Sequence, residues 1–155
     1  CRKDMELLSS YYQKEITAMH IAVRTSLPDN PLFIDGNAEQ LGKTIMSLLN
    51  NGMYAIAKKY GKKAYPAEIG LALESKDGQA VIRLYDNGVG IEQSILDKIF
   101  DPFFTTKTTG EAAGIGLYLS KEIILNHHGQ IAVRSEKDEL TEFTITLPLW
   151  EEKSV

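Results

Sequence analysis

Four short segments hold the residues whose types and spacing could do chemistry. In Ser47-Leu48-Leu49-Asn50-Asn51-Gly52-Met53-Tyr54-Ala55, the amide of Asn51 offers a neutral oxygen. Such an oxygen is a hard ligand suited to Mg²⁺ that already carries phosphate oxygens. Asn50, Asn51 and Gly52 are poor helix formers inside a helical pattern, and a local violation of propensity is where function is expected. Alone, Asn51 would read as a helix residue bonding locally. Asp86-Asn87-Gly88-Val89-Gly90-Ile91 closes an apolar strand. The Asp86 carboxylate can accept from an exocyclic amine, and glycine at 88 and 90 lets the backbone pass close to a flat base. Alone, the same string is a common turn. Lys98-Ile99-Phe100-Asp101-Pro102-Phe103-Phe104-Thr105-Thr106-Lys107 gathers three of the five phenylalanines around one proline. Core packing explains those rings equally well, and Lys107 could reach a phosphate or simply be solvated. The fourth segment, Gly110-Glu111-Ala112-Ala113-Gly114-Ile115-Gly116-Leu117, opens a helix. Free amides and the positive dipole end there suit a polyphosphate, with close packing the other use of such glycines.

Two familiar phosphate-binding patterns fail. Gly42-Lys43-Thr44 looks like the end of a P-loop, but the pattern needs Gly at position 37, which is Asn37, and the string lies within an amphipathic helix. After Gly88 and Gly90, a dinucleotide fingerprint needs Gly where Gln93 stands, and the βαβ unit around it is missing.

The elements that must position these segments follow from periodicity. Met5, Leu8, Tyr12 and Ile16 predict a helix over about 3–17, and Met19, Ile21 and Val23 a short strand. Asp29-Asn30-Pro31 signals a turn, with a further short strand expected at Leu32-Phe33-Ile34. Asn37 is placed to cap a long helix whose buried stripe is Leu41, Ile45, Leu48, Leu49, Met53 and Ile56, ending near Lys58-Lys59-Tyr60-Gly61. Ile69, Leu71 and Leu73, then Ala80, Ile82 and Leu84, alternate on either side of Lys76-Asp77-Gly78-Gln79, which predicts a hairpin. Glu92 to Phe100 reads as a short helix, 101–114 as a loop without period, and Ile115 to His127 as a helix C-capped by Gly129. Ile131 and Val133 open one last strand, and Phe143, Ile145 and Leu147 form another. Thr141 shares their parity and points toward the same face. This mixture fits an α/β (α+β) two-layer sandwich: a mixed, mostly antiparallel sheet of about five strands with about three helices on one face.

Composition sets the bounds. The chain has 155 residues, 43% of them apolar and 25% charged, enough for one domain with a real core. A net charge of −4 argues against holding nucleic acid by bulk charge. The single cysteine, Cys1, makes neither an internal disulfide nor a zinc site. No apolar run approaches the roughly 18 residues of a membrane helix, so no direct membrane contact is expected of this domain. A start at Cys1 reads as a piece of a longer protein.

In order and spacing, the four segments resemble the N, G1, F and G2 boxes of the gyrase, Hsp90, histidine-kinase and MutL ATPase superfamily. Within it they look most like the ATP-binding catalytic domain of sensor histidine kinases, over about residues 19–149. The resemblance implies the Bergerat ATP-binding fold and the cofactors ATP and Mg²⁺. It implies Asn51 as metal ligand, and Asp86 with Gly88, Gly90 and Ile91 at the adenine. Tyr54, Ala55, Lys107, Gly114, Ile115, Gly116, Leu117 and Thr141 complete the expected nucleotide site; no side chain of this chain is expected to be catalytic. Residues 1–18 would be the tail of a connecting helix, 19–150 the ATP-binding domain and 151–155 a C-terminal tail. The implied function is transfer of the γ-phosphate to a histidine on a dimerisation domain outside this chain. Expected partners are that phosphotransfer domain and a response-regulator receiver domain, in a homodimeric parent whose ATP-binding part lies in the cytoplasm.

Several positions depart from the family pattern. Ala112 and Ala113 stand where Gly and Thr or Ser are frequent, which puts the ordering of the phosphate-covering loop in doubt. Ser47 occupies the position where the hydrolytic relatives carry a water-activating Glu, so transfer to a protein acceptor is favoured over hydrolysis. Tyr54 replaces a frequent Lys or Arg. His20, His127 and His128 lack an acceptor's context; the last two suit a helix C-terminus. Two alternatives stay open: a serine kinase of the anti-sigma-factor type, and a nucleotide-binding interaction module without turnover.

Overall fold

The computed structural model describes residues 21–60, 66–102, 104 and 115–151. The expected helix over 3–17, Met19 and His20, the helix end at Gly61, and Lys107, Ala112, Ala113 and Gly114 lie outside the described residues.

The strands are β1 (Ala22–Ser26), β2 (Glu68–Lys76), β3 (Gln79–Asp86), β4 (Gln130–Glu136) and β5 (Leu140–Pro148). They form one sheet in the order β1-β2-β3-β5-β4, parallel between β1 and β2 and antiparallel elsewhere. Two helices pack on one face: α1 (Ala38–Tyr60) and α2 (Ile115–Asn126). Alternation explains the layering. Ile69, Leu71 and Leu73 of β2, Ile82 and Leu84 of β3, and Phe143, Ile145 and Leu147 of β5 turn inward, where they are buried with Ile45, Leu48 and Ile124 of the helices or with Met53 and Ile56. Each such side chain contributes roughly 1.5–3 kcal/mol by leaving water. The other face of the sheet carries ion pairs, Arg24 with Glu68 at 2.9 Å and Arg83 with Glu74 at 2.8 Å. By the same parity Asp86 and Thr141, opposite each other across β3 and β5, fall on the inner face at the sheet end.

Helix α1 begins as its sequence requires: Asn37 Oδ1 accepts from the Gln40 N–H at 3.0 Å. A long-range tie reinforces that start. The Asn37 N–H donates to His127 Nε2 at 3.0 Å, so the His127 proton sits on Nδ1 and is donated to Ile123 O at 2.7 Å. His127 therefore joins the end of α2 to the start of α1, a contact beyond its place at the helix C-terminus.

Three expectations are corrected. Glu92 to Phe100 is no α-helix; a 3₁₀ turn at Gln93–Ile95 is followed by i→i+3 bonds from Lys98 to Ile95 and from Asp101 to Lys98. Apolar residues three apart suit these tighter turns as well as an α-helix, and among the described residues α1 and α2 are the two α-helices. Leu32-Phe33-Ile34 pairs with no strand; Phe33 O accepts a single bond from the Trp150 N–H. At the end of α2 the left-handed residue is His128 (φ 61°), and Gly129 follows it. The His128 N–H bonds Leu125 O and the Gly129 N–H bonds Ile124 O, a Schellman pair. Gly129 is needed because a Cβ there would collide with Thr146 O on β5.

Candidate functional site

A cavity of about 860 Å³ opens between α1, the segment after β3, the β4–β5 turn and the start of α2. Its long wall is a stripe of α1: Lys43, Ser47, Asn50, Asn51, Tyr54, Ala55 and Lys58. Their spacing of three, four and seven residues puts them on one side of the helix. The opposite, buried side carries Ile45, Leu48, Met53 and Ile56. One helix thus holds the core with one face and the cavity with the other.

At the inner end, Asp86 is only 5% exposed and its carboxylate faces the cavity. Its Oδ1 accepts from the Gly88 N–H at 2.9 Å. Burial pushes its pKa up to about 7, against the opposing pull of the Gly88 bond and the Lys59 charge. Beside it lies Thr141, 4% exposed, whose Oγ1 is 2.8 Å from Ser135 Oγ. Ile91, Ile95, Ile99 and Phe143 form an apolar floor. A flat, mostly apolar ligand edged with a hydrogen-bond donor suits this end.

The segment after β3 is shaped by other protein groups. A Cβ on Gly88 would run into the Ala55 backbone, and the Val89 N–H bonds Ala55 O at 3.2 Å. Gly90 has φ +68°, and a Cβ there would strike Glu136 O. Both glycines thus serve contacts within the protein, a reason that sequence reasoning did not supply. Gly90 lines the cavity; Gly88 lies behind its wall. Asn87 turns away, with Oδ1 accepting from the Glu68 N–H and Nδ2 donating to Pro66 O. Lys59 Nζ reaches Asn87 O and Asp138 O, tying α1 to both loops.

At the other end, α2 starts at Ile115, and its Gly116 lies so close to Ser47 that a Cβ would come within 2.8 Å of the hydroxyl. Gly116 and Leu117 line the cavity there, below Asn51 on α1. The cavity therefore brings together Asn51, Tyr54, Ala55, Asp86, Gly90, Ile91, Gly116, Leu117 and Thr141 from the sequence-derived set. Lys107 and Gly114 lie outside the described residues. Sequence reasoning missed Lys58, seven residues beyond Asn51 and visible by helical spacing. It also missed Lys137 and Glu92, an exposed pair at 2.8 Å joined only by strand register.

A divalent ion fits the Asn51 wall. Mg²⁺ keeps waters and phosphate oxygens in its shell and needs only one or two protein oxygens. Among the described residues, no group of three or more His, Cys, Asp or Glu side chains could hold a metal without such a ligand.

The architecture and the site define a two-layer α/β domain with a nucleotide-sized cavity at the open end of its sheet. The chain belongs to the family of histidine kinase-, DNA gyrase B- and HSP90-like ATPases, which residues 36–151 match. It is 34% identical over 123 residues to sporulation kinase D of Bacillus subtilis, covering 79% of this chain and 22% of that protein. It is 39% identical over 122 residues to the signal transduction histidine-protein kinase AtoS of Escherichia coli, covering 78% and 19% respectively. The chain thus spans about a fifth of the length of these relatives. The catalytic domain of the histidine kinase ThkA superposes with a TM-score of 0.80 at 21% identity, over 96% of this chain and 91% of that one. Full-length ShkA in complex with AMPPNP gives 0.80 at 16% identity, over 98% and 30%.

Proposed function

We propose that this domain binds Mg²⁺-ATP and presents the γ-phosphate to a histidine on a dimerisation domain outside the chain, as part of a two-component sensor kinase. The observation that carries the reading is the shared cavity: a buried carboxylate and an apolar floor at one end, an amide oxygen and a helix start at the other. In this reading Asp86 accepts from the adenine amine, and Gly90 and Ile91 with Phe143 flank the base. Tyr54 and Ala55 border the ribose and Gly116 and Leu117 the phosphates, and the family pattern assigns Gly114, Ile115 and Lys107 to the same ligand. Asn51 holds Mg²⁺, which when bound neutralises phosphate charge during transfer. The protein contributes positioning and electrostatics rather than covalent chemistry.

The carboxylates on the cavity wall support transfer over hydrolysis. Among the described residues they are Asp86, Glu92 and Asp138, with none on α1 beside Asn51. Glu92 is paired to Lys137, and Ser47 stands where a water-activating base would be needed. Residues 1–18 then belong to a connecting helix and 19–150 to the ATP-binding domain. The partners are the phosphotransfer domain and a receiver domain in a homodimeric parent. Among the described residues no helix is long and apolar enough to cross a membrane.

Isothermal titration with Mg²⁺-ADP tests the reading. Wild type binds at millimolar concentration or better, and Asp86→Asn weakens binding at least a hundredfold with an unchanged circular dichroism spectrum. Absence of binding by wild type, or unchanged affinity in the variant, overturns it.

A further inference from the structure

Ser135, at the end of β4, is 2% exposed and three groups converge on its hydroxyl. The Ile91 N–H donates to Oγ at 2.7 Å, Leu140 O lies at 2.7 Å, and Thr141 Oγ1 at 2.8 Å. A hydroxyl has one proton to give and two lone pairs to receive. If Ser135 gave its proton to Thr141, its oxygen and Leu140 O would face each other at 2.7 Å with no proton between them. One arrangement satisfies all three neighbours: Ser135 donates to Leu140 O and receives from both the Ile91 N–H and the Thr141 hydroxyl.

The consequence falls on Thr141. Its only proton is directed at Ser135, so its remaining lone pairs are what it turns to the cavity. Asp86, its partner across β3 and β5, is an acceptor as well, with Oδ1 already engaged by Gly88. Both polar groups at the inner end therefore ask for donors.

We infer that Ser135 is a positioning residue that holds Thr141 as an acceptor, so that Asp86 and Thr141 together read the two N–H groups of a purine's exocyclic amine. This rests on the adenine-nucleotide reading of the cavity and adds to it the residue that orients Thr141. A 6-oxo base presents a carbonyl to two acceptors and is rejected; a base lacking the 6-substituent leaves both unpaired. The Gln93 amide donates to Ser135 O at 2.7 Å, holding the same strand end in register with the segment after β3.

The test is titration of the full chain with Mg²⁺-ADP and with the Mg²⁺ complex of purine riboside 5′-diphosphate, in which hydrogen replaces the amine. Measurements are made at pH 8, where the Asp86 carboxylate is ionised. Wild type prefers ADP. Thr141→Val and Ser135→Ala each narrow that preference about three- to tenfold, whereas Thr141→Ser, which keeps the hydroxyl, retains it. If Ser135→Ala does not fold, the Thr141→Val and Thr141→Ser pair decides. A preference unchanged in Thr141→Val, or in a folded Ser135→Ala, overturns the inference and leaves Ser135 a structural staple. Equal binding of the two ligands by wild type overturns it while leaving the nucleotide site intact. Binding of neither removes the site reading itself.

Discussion

The two ends of the cavity are built differently. The inner end is cross-linked from all sides: the Gly88 N–H on Asp86, the Ile91 N–H and Thr141 on Ser135, the Asp138 N–H on Val89 O at 2.6 Å, and Lys59 on two carbonyls. Its functional groups are buried. The outer end has the half-buried side chains of Ser47 and Asn51 beside an exposed Gly116, and rests on the approach of two helices. On the proposed function the difference separates two tasks. Reading a base needs acceptors fixed before the ligand arrives, because a desolvated group held in the wrong direction is worth nothing. Holding phosphates needs only amides, a metal and charge, which tolerate a looser frame.

Breaking the frame behind the inner end gives the largest effect beyond loss of Asp86 itself. Gly88→Ala forces a Cβ into the Ala55 backbone and lowers stability by about 1–3 kcal/mol, read as a drop in urea midpoint. An unchanged midpoint would mean that the segment after β3 is not anchored on α1. At the outer end, Asn51→Ala removes the roughly tenfold or larger gain in ADP affinity that Mg²⁺ provides, while metal-free affinity stays as in wild type. Loss of metal-free binding as well would move Asn51 from metal to base.

The raised Asp86 pKa sharpens the contrast through pH. Its folded-state value of about 7 lies above the ordinary 3.8, so the folded state binds the proton more tightly than the unfolded chain. The carboxylate therefore subtracts stability as pH rises from about 4 to about 7, by up to about 4 kcal/mol, and nothing further above that. The slope is isolated as the difference between wild type and Asp86→Asn in urea unfolding at each pH; identical pH profiles would mean that Asp86 does not titrate in this way. On the proposed reading the ionised carboxylate is the acceptor, so ADP affinity rises about tenfold from pH 6 to pH 8 and then levels off. The smallest effect is expected at the rim. The Glu92–Lys137 pair is solvent-exposed, so Glu92→Gln leaves the urea midpoint unchanged within error. A clear loss would show that the pair holds the segment after β3 in place.

Much of this was legible in local pattern. Period-two alternation gave the β2–β3 hairpin and the inner face of β5, and parity alone sent Asp86 and Thr141 to the same side. Helical spacing set the core stripe of α1, and Asn37 acted as its cap. The short helix at 92–100 was misread because apolar spacing of three residues serves a 3₁₀ turn as well as an α-helix. His128 took the left-handed position expected of Gly129 because the helix ends one residue earlier than the glycine. The reason for Gly88 and Gly90 could not be read, since what they accommodate, Ala55 and Glu136, lies more than thirty residues away in each case.

By itself, then, the sequence determined which side chains can accept, ligate or bury, and which face each element turns inward. These depend on residue type and on periods of two or 3.6 within a single element. Only the tertiary structure decided that Ser135 meets Thr141 and Ile91, that Lys137 meets Glu92, and that a carboxylate so ordinary in sequence becomes one with a pKa near 7. Those outcomes depend on strand register and on the exclusion of water between layers, which no local pattern carries.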